Sequence, residues 1–166
     1  MRAHPVTGAE REAAVRHWLL AAVPGSERTA AAADWATRGV TVLPCGTLFS
    51  AARLPADIVA SAAGSTDWAT IDRYLAASFD GPVFCTGDRG LYVALVPPSA
   101  VRTWTVPAVA LLGRGSAVTV PAPGLTRDRT AGPYWAVPME SPGVLCLPED
   151  VANVAHRGLR RGPSCD

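Results

Sequence analysis

From Pro82 to Pro97 two short apolar runs, Pro82 to Thr86 and Leu91 to Val96, flank Gly87-Asp88-Arg89-Gly90. Short runs rich in Val, Phe and Tyr and punctuated by glycine predict strand, turn and strand, so this hairpin is expected at the centre of the fold. Upstream the period is helical. Thr7 and Glu10 have capping-box spacing, and Val15, Trp18, Leu19 and Ala22 recur at i, i+3, i+4 and i+7, which predicts an amphipathic helix over 8–22. Pro24-Gly25-Ser26 breaks it. A second helix is predicted from Glu27 to Arg38 with Gly39 at C′, and Val40 to Pro44 reads as a short buried strand. Gly46 to Arg53 shows no clear period and reads as a connector. Pro55 is placed to open a short helix ending before Gly64, with Ile58, Val59 and Ala62 inward. Ser65-Thr66-Asp67 then offers N-caps for a helix carrying Trp68, Ile71 and Leu75 on one face.

Beyond the hairpin the pattern weakens. Ser99 to Thr103 predicts one helical turn, and Pro107 argues against a central strand between Trp104 and Leu112. Gly113-Arg114-Gly115 reads as a turn, Ala117 to Val120 as a strand stopped by Pro121, Pro121 to Pro133 as a loop and Tyr134 to Val137 as the last strand. Pro148 opens a helix expected from Glu149 to Arg157, acidic in its first turn, followed by a loose tail over 158–166. Residues 1–166 then form a single domain: an N-terminal helical extension over 1–29, a core over 30–157, and the tail. The expected fold class is α/β or α+β, a small mixed β-sheet of four or five strands with helices packed on it.

Composition adds limits. Alanine supplies much of the apolar content, so the few aromatics are expected to anchor packing. All fifteen basic residues are Arg, Gln is missing and Asn occurs only at Asn153, a bias expected of a GC-rich genome. The net charge of +1 excludes a globally basic nucleic-acid binder, so any polyanion contact must rest on a local Arg cluster. Met1 to Gly8 does not resemble a signal peptide, and no segment approaches the roughly 18 apolar residues that span a bilayer, so a cytoplasmic protein without a membrane partner is expected.

Candidate chemistry is sparse. Cys45, Cys85, Cys146 and Cys165 lie far apart with no Cys-x-x-Cys pair, which argues against a disulfide scaffold or zinc site and for reduced core residues at Cys45, Cys85 and Cys146. His4, His17 and His156 lie near the chain ends and read as surface or packing residues. No carboxylate pair has metal spacing, no Ser stands in a nucleophile elbow, and Gly87 to Gly90 lacks the lysine and the helix of a phosphate loop. No catalytic residue, metal or cofactor is therefore expected. What remains is a candidate ligand site from Asp88 and Arg89 on the hairpin turn, Arg114 on the next turn, and Arg127 and Arg129 in the Pro-rich loop, where guanidinium groups are expected to converge on phosphate.

The order of pieces resembles a known family. Trp35-Ala36-Thr37-Arg38-Gly39-Val40-Thr41-Val42-Leu43-Pro44, Trp68 to Ala76, Val83 to Val96, Gly115 to Pro123 and Gly132-Pro133-Tyr134-Trp135 are similar in order and spacing to the bifunctional DNA primase/polymerase N-terminal domain of the archaeo-eukaryotic primase type, over about residues 30–157. The resemblance implies nucleotidyl transfer with metal held by acidic residues after the central hairpin, at the positions of Leu95 and Pro97 here. Neither offers the hard oxygen ligands that Mg²⁺ demands, and no His lies between His17 and His156 to match the family's later histidine. Without a metal, phosphoryl transfer loses its main electrostatic stabilisation. The expected function is a catalytically inactive primase/polymerase-like domain acting as a binding or regulatory module for a nucleotide, a nucleic acid or a protein partner. The alternatives are a small enzyme with Cys45 or Cys85 as nucleophile, and a protein-interaction module using the Pro121–Pro133 loop or an exposed hairpin edge.

Overall fold

The computed structural model describes residues 7–162. Its first helix, α1 (Gly8–Leu20), begins as its spacing requires: the Thr7 side chain accepts from the Glu10 amide at 3.1 Å, and the Glu10 carboxylate returns to the Thr7 amide at 2.8 Å. Helix α2 (Arg28–Arg38) ends on Gly39 at φ +75°, a conformation that costs glycine nothing. There follow β1 (Val40–Pro44), β2 (Ser50–Pro55), α3 (Ala56–Ala63) and α4 (Trp68–Ser78), the last capped by the Asp67 side chain on the Thr70 amide. The predicted hairpin is β3 (Val83–Cys85) and β4 (Leu91–Val96). One 3₁₀ turn (Pro98–Arg102), β5 (Ala110–Leu112), β6 (Ala117–Pro121), β7 (Tyr134–Val137) and α5 (Pro148–Arg161) complete the chain.

The strands form two sheets. One has five strands in the order β5-β2-β4-β3-β7, and the other is the pair β1-β6. This is a single α+β domain. Every pairing is antiparallel, which corrects the expected mixed sheet. Two further expectations change. The connector Gly46 to Arg53 contains the start of β2, which pairs with β4 and β5. Ala110 to Leu112 forms a short strand at the sheet edge, in keeping with the expectation that no central strand runs there. The last helix runs past Arg157 to Arg161, so 158–161 is not loose tail. His4 and Cys165 lie outside the described residues.

The five-stranded sheet is covered on both faces. Ala52, Leu54, Val83, Cys85, Tyr92, Ala94 and Val96 pack against Val59, Ile71, Leu75, Val151 and Val154 of α3, α4 and α5. Ala51, Phe84, Val93, Leu95 and Trp135 pack instead against Val15, Leu19, Trp35, Leu43, Val118 and Val120, from α1, α2 and the β1-β6 pair. Strand alternation makes this division, since successive side chains point to opposite faces. Both buried indoles find acceptors: Trp35 Nε1 donates to the Val120 carbonyl at 3.0 Å, and Trp135 Nε1 to those of Pro121 and Ala122 at 3.2 Å. Among the described residues no helix is long and apolar enough to cross a membrane.

Candidate functional site

At the turn end of the hairpin the sheet carries a row of polar side chains on its α4 face. Register pairs Cys85 with both Tyr92 and Tyr134, so two phenols flank one thiol on adjacent strands. Asp72 reaches this row from α4, one helical turn beyond Trp68. Its carboxylate accepts from the Tyr134 hydroxyl at 3.0 Å and from Arg127 Nε at 3.2 Å. The Arg89 guanidinium lies over the Tyr134 ring at 4.4 Å and near Trp68 at 5.9 Å, and it adjoins the Cys85 thiol.

Two polar atoms of this cluster are buried without a hydrogen-bond partner: Arg89 Nη1 and the Tyr92 hydroxyl, which Tyr134 and Cys85 adjoin without satisfying. Such atoms are rare in folded proteins and mark a strained or ligand-bearing site. Arg89 is also the one non-glycine residue at positive φ, +60°, among the described residues. An L-residue there costs about 1–2 kcal/mol, and such strain gathers at functional sites. The turn is fixed around it by Asp88, whose carboxylate accepts from Thr86 Oγ1 at 2.6 Å and from the Gly90 amide at 2.9 Å.

Of the five residues expected to form a ligand site, Arg89 and Arg127 meet at Asp72. Asp88 is exposed and holds the turn, with no part turned to the cluster. Arg129 is exposed in the Pro-rich loop, with Nη1 3.4 Å from the Gly124 carbonyl. Arg114 does not converge. It stands at the other end of β4, beside a cavity of about 590 Å³ lined also by Gly46, Pro98, Ser99 and Arg102. Sequence reasoning missed Asp72, Tyr92 and Tyr134, although the i, i+4 spacing of Trp68 and Asp72 places both on one side of α4.

No protein-family model matches this chain, and no curated protein or solved structure matches it.

Burial holds the Asp72 carboxyl above the usual aspartate range, against the hydrogen bonds from Tyr134 and Arg127 that pull it down. Between the ordinary and the raised value the folded chain binds the proton and the unfolded chain does not. Asp72's contribution to stability is therefore fullest below the ordinary value and is lost as pH rises through the raised one. The exposed caps Asp67 and Asp88 are held low by their hydrogen bonds and act with the opposite sign, losing stability as pH falls. Asp72→Asn should remove only the first trend, which denaturant unfolding across the acid limb measures. An unchanged limb would contradict the buried carboxyl.

The thiols are poor nucleophiles here. Cys45, Cys85 and Cys146 are buried and unpaired. Burial pushes Cys45 up to about 11 and Cys146 to about 12, and it raises Cys85 despite the nearby Arg89 cation. Because the thiolate is the reactive species, all three should label slowly in the native protein and fully after denaturation. Mass-spectrometric mapping of the labelled positions checks this, and fast native labelling of Cys45 or Cys85 would restore the nucleophile reading.

Leu95 is fully buried in the second core, its amide bonded to the Pro82 carbonyl and its carbonyl to the Cys146 amide. Pro97 precedes the 3₁₀ turn. Neither side chain offers an oxygen ligand, and among the described residues no three His, Cys, Asp or Glu gather closely enough to hold an ion.

Proposed function

We propose that this domain is a catalytically inactive binding module of primase/polymerase-like ancestry, working in the cytoplasm, that holds a phosphate-bearing nucleotide unit at the turn end of the hairpin. The observation that carries this reading is Arg89, a strained residue with a buried, partnerless guanidinium nitrogen between two aromatic rings. Trp68, 38% exposed at the first turn of α4, supplies a flat face for a base, and Arg89, whose Nη2 donates to the Ala131 carbonyl at 3.4 Å, supplies its unpartnered Nη1 for a phosphate oxygen. Arg127 is already engaged by Asp72, so the group Arg89–Arg127–Asp72 carries one net positive charge. That charge suits one phosphodiester or a terminal phosphate better than a metal-bound triphosphate.

The test is calorimetric titration with a nucleoside monophosphate, a nucleoside triphosphate and a short single-stranded oligonucleotide, each at low and moderate salt. Binding of the oligonucleotide is expected to fall with salt at a logarithmic slope of about −1, as one or two neutralised phosphates require. Protonating Asp72 adds a positive charge, so affinity should rise as pH falls toward the carboxylate range. No binding at either salt would overturn the reading.

A further inference from the structure

A second site lies on the opposite face of the hairpin, in the groove between the two sheets. Strand β6 is paired with β1 on one side only. The Cys45 amide donates to the Ser116 carbonyl and the Ala122 amide to that of Gly39, both at 2.8 Å. In an antiparallel ladder the residues alternate, so 116, 118, 120 and 122 turn their backbone groups toward β1, and Ala117 and Thr119 turn theirs away. Neither Ala117 nor Thr119 has another backbone partner among the described residues. At Pro121 the free edge closes, because proline has no N–H and its carbonyl is taken by Trp135.

This edge forms one wall of a cavity of about 290 Å³, whose other wall is the five-stranded sheet at Arg53, Val93, Phe84 and Leu112. Arg53 stands in register with Val93 and Ala110, a lone cation on a sheet face that is otherwise apolar. It is exposed and makes no ion pair or hydrogen bond with the described residues. A charge that breaks the binary pattern with no local compensation suggests a partner of opposite sign.

We infer that the groove takes an extended acidic peptide segment, added as a strand along Ala117 to Thr119, with one carboxylate on Arg53. The peptide backbone satisfies the free N–H and C=O groups of the edge. The side chains on its inward face meet Leu112, Val93 and Arg53, with the carboxylate at the inward position beside Arg53, and the alternate ones face solvent. A nucleotide does not fit as well, since Phe84 on the wall is buried and leaves no open ring face, and the groove offers a single cation. The groove reaches Thr86 and Leu91 at the base of the hairpin turn, but Phe84 and Val93 on its wall point to one face of the sheet and Cys85 and Tyr92 of the Arg89 site to the other.

The experiment is an amide-resolved NMR titration with two blocked pentapeptides, Val-Thr-Asp-Thr-Val, which sets the carboxylate on the same face as the two valines, and its Lys counterpart. The acidic peptide should shift the Ala117 and Thr119 resonances and slow exchange of the Thr119 amide tenfold or more, with at least tenfold weaker binding of the Lys peptide. Arg53→Glu, at an exposed position, should reverse that preference and leave Arg89-dependent oligonucleotide binding unchanged. Unperturbed Ala117 and Thr119 amides at millimolar acidic peptide would overturn the inference. So would equal binding of both peptides, or an unchanged preference in Arg53→Glu.

Discussion

Gly81→Ala should destabilise the domain by more than about 3 kcal/mol, at the upper end of what overpacking a core costs. Gly81 closes the segment between α4 and β3 with an ordinary negative φ, so backbone freedom is not what the position needs. It needs the missing methyl. A Cβ here would fall well inside van der Waals distance of the Leu145 carbonyl carbon and the Cys146 amide nitrogen, both backbone atoms that no rotamer change can move. The Cys146 amide donates to the Leu95 carbonyl at 2.8 Å and the Cys146 thiol lies 3.4 Å from that of Pro82, so the displaced segment is the one that bonds β4 to the chain entering α5. Pushing it outward breaks both contacts and leaves the Leu95 carbonyl buried without a donor. For a chain of this size a loss of 3 kcal/mol lowers Tm by roughly 6–12 °C. Thermal unfolding of Gly81→Ala beside Gly25→Ala, where an added Cβ meets nothing, checks it. Equal melting of the two variants would show that the 145–146 segment yields freely.

The helices and the central hairpin were legible because their signals are local. Thr7 with Glu10, Gly39 after Arg38, and Asp67 before Trp68 each state a helix boundary within a few residues. Strand β2 was not legible for a physical reason. Ser50, Ala51, Ala52 and Leu54 are all fully buried, so the strand shows no alternation, and its small side chains carry none of the β-branched preference that marks a strand. Only β4 and β5, about forty and sixty residues away, make it one. The loose tail expected from residue 158 begins later because Gly158 lies within α5: a Cβ there would strike the Ile58 backbone, so its smallness lets α5 approach α3.

The same distinction holds for the site. Asp88 and Arg89 were visible because turns announce themselves through glycine. Asp72, Tyr92 and Tyr134 are separated by as many as 62 residues, and each alone resembles an ordinary helix or strand position. Their joint meaning depends on the β3-β4-β7 register, which periodicity does not contain. The absence of acidic residues at Leu95 and Pro97 was legible at once, since it needs only residue identity. That Leu95 sits in a closed core, where an ion would have no entry, is a fact of packing.

Arg89→Gly should separate ligand binding from folding. Glycine accepts φ +60° without the penalty an L-residue carries there, which offsets its larger unfolded-state entropy of about 0.5–1 kcal/mol and the lost stacking on Tyr134. The substitution also removes a buried nitrogen that has no partner, against the loss of a long 3.4 Å hydrogen bond from Nη2 to the Ala131 carbonyl. These contributions nearly cancel, so stability should stay within about 1 kcal/mol of the parent. Binding should not survive as well. A charge-assisted contact is worth about 1.5–3 kcal/mol, so oligonucleotide affinity should fall by roughly 10- to 150-fold and its salt dependence should flatten. Arg89→Ala is the informative partner, because alanine loses the cation but keeps the strained φ. It should bind as poorly as Arg89→Gly while melting several degrees lower. Calorimetric titration with matched thermal scans of the three proteins decides the matter. Were Arg89→Gly to retain the parent's affinity, the guanidinium would have only a structural role. Were Arg89→Gly and Arg89→Ala to melt together, the left-handed turn would hold no strain worth a ligand's release.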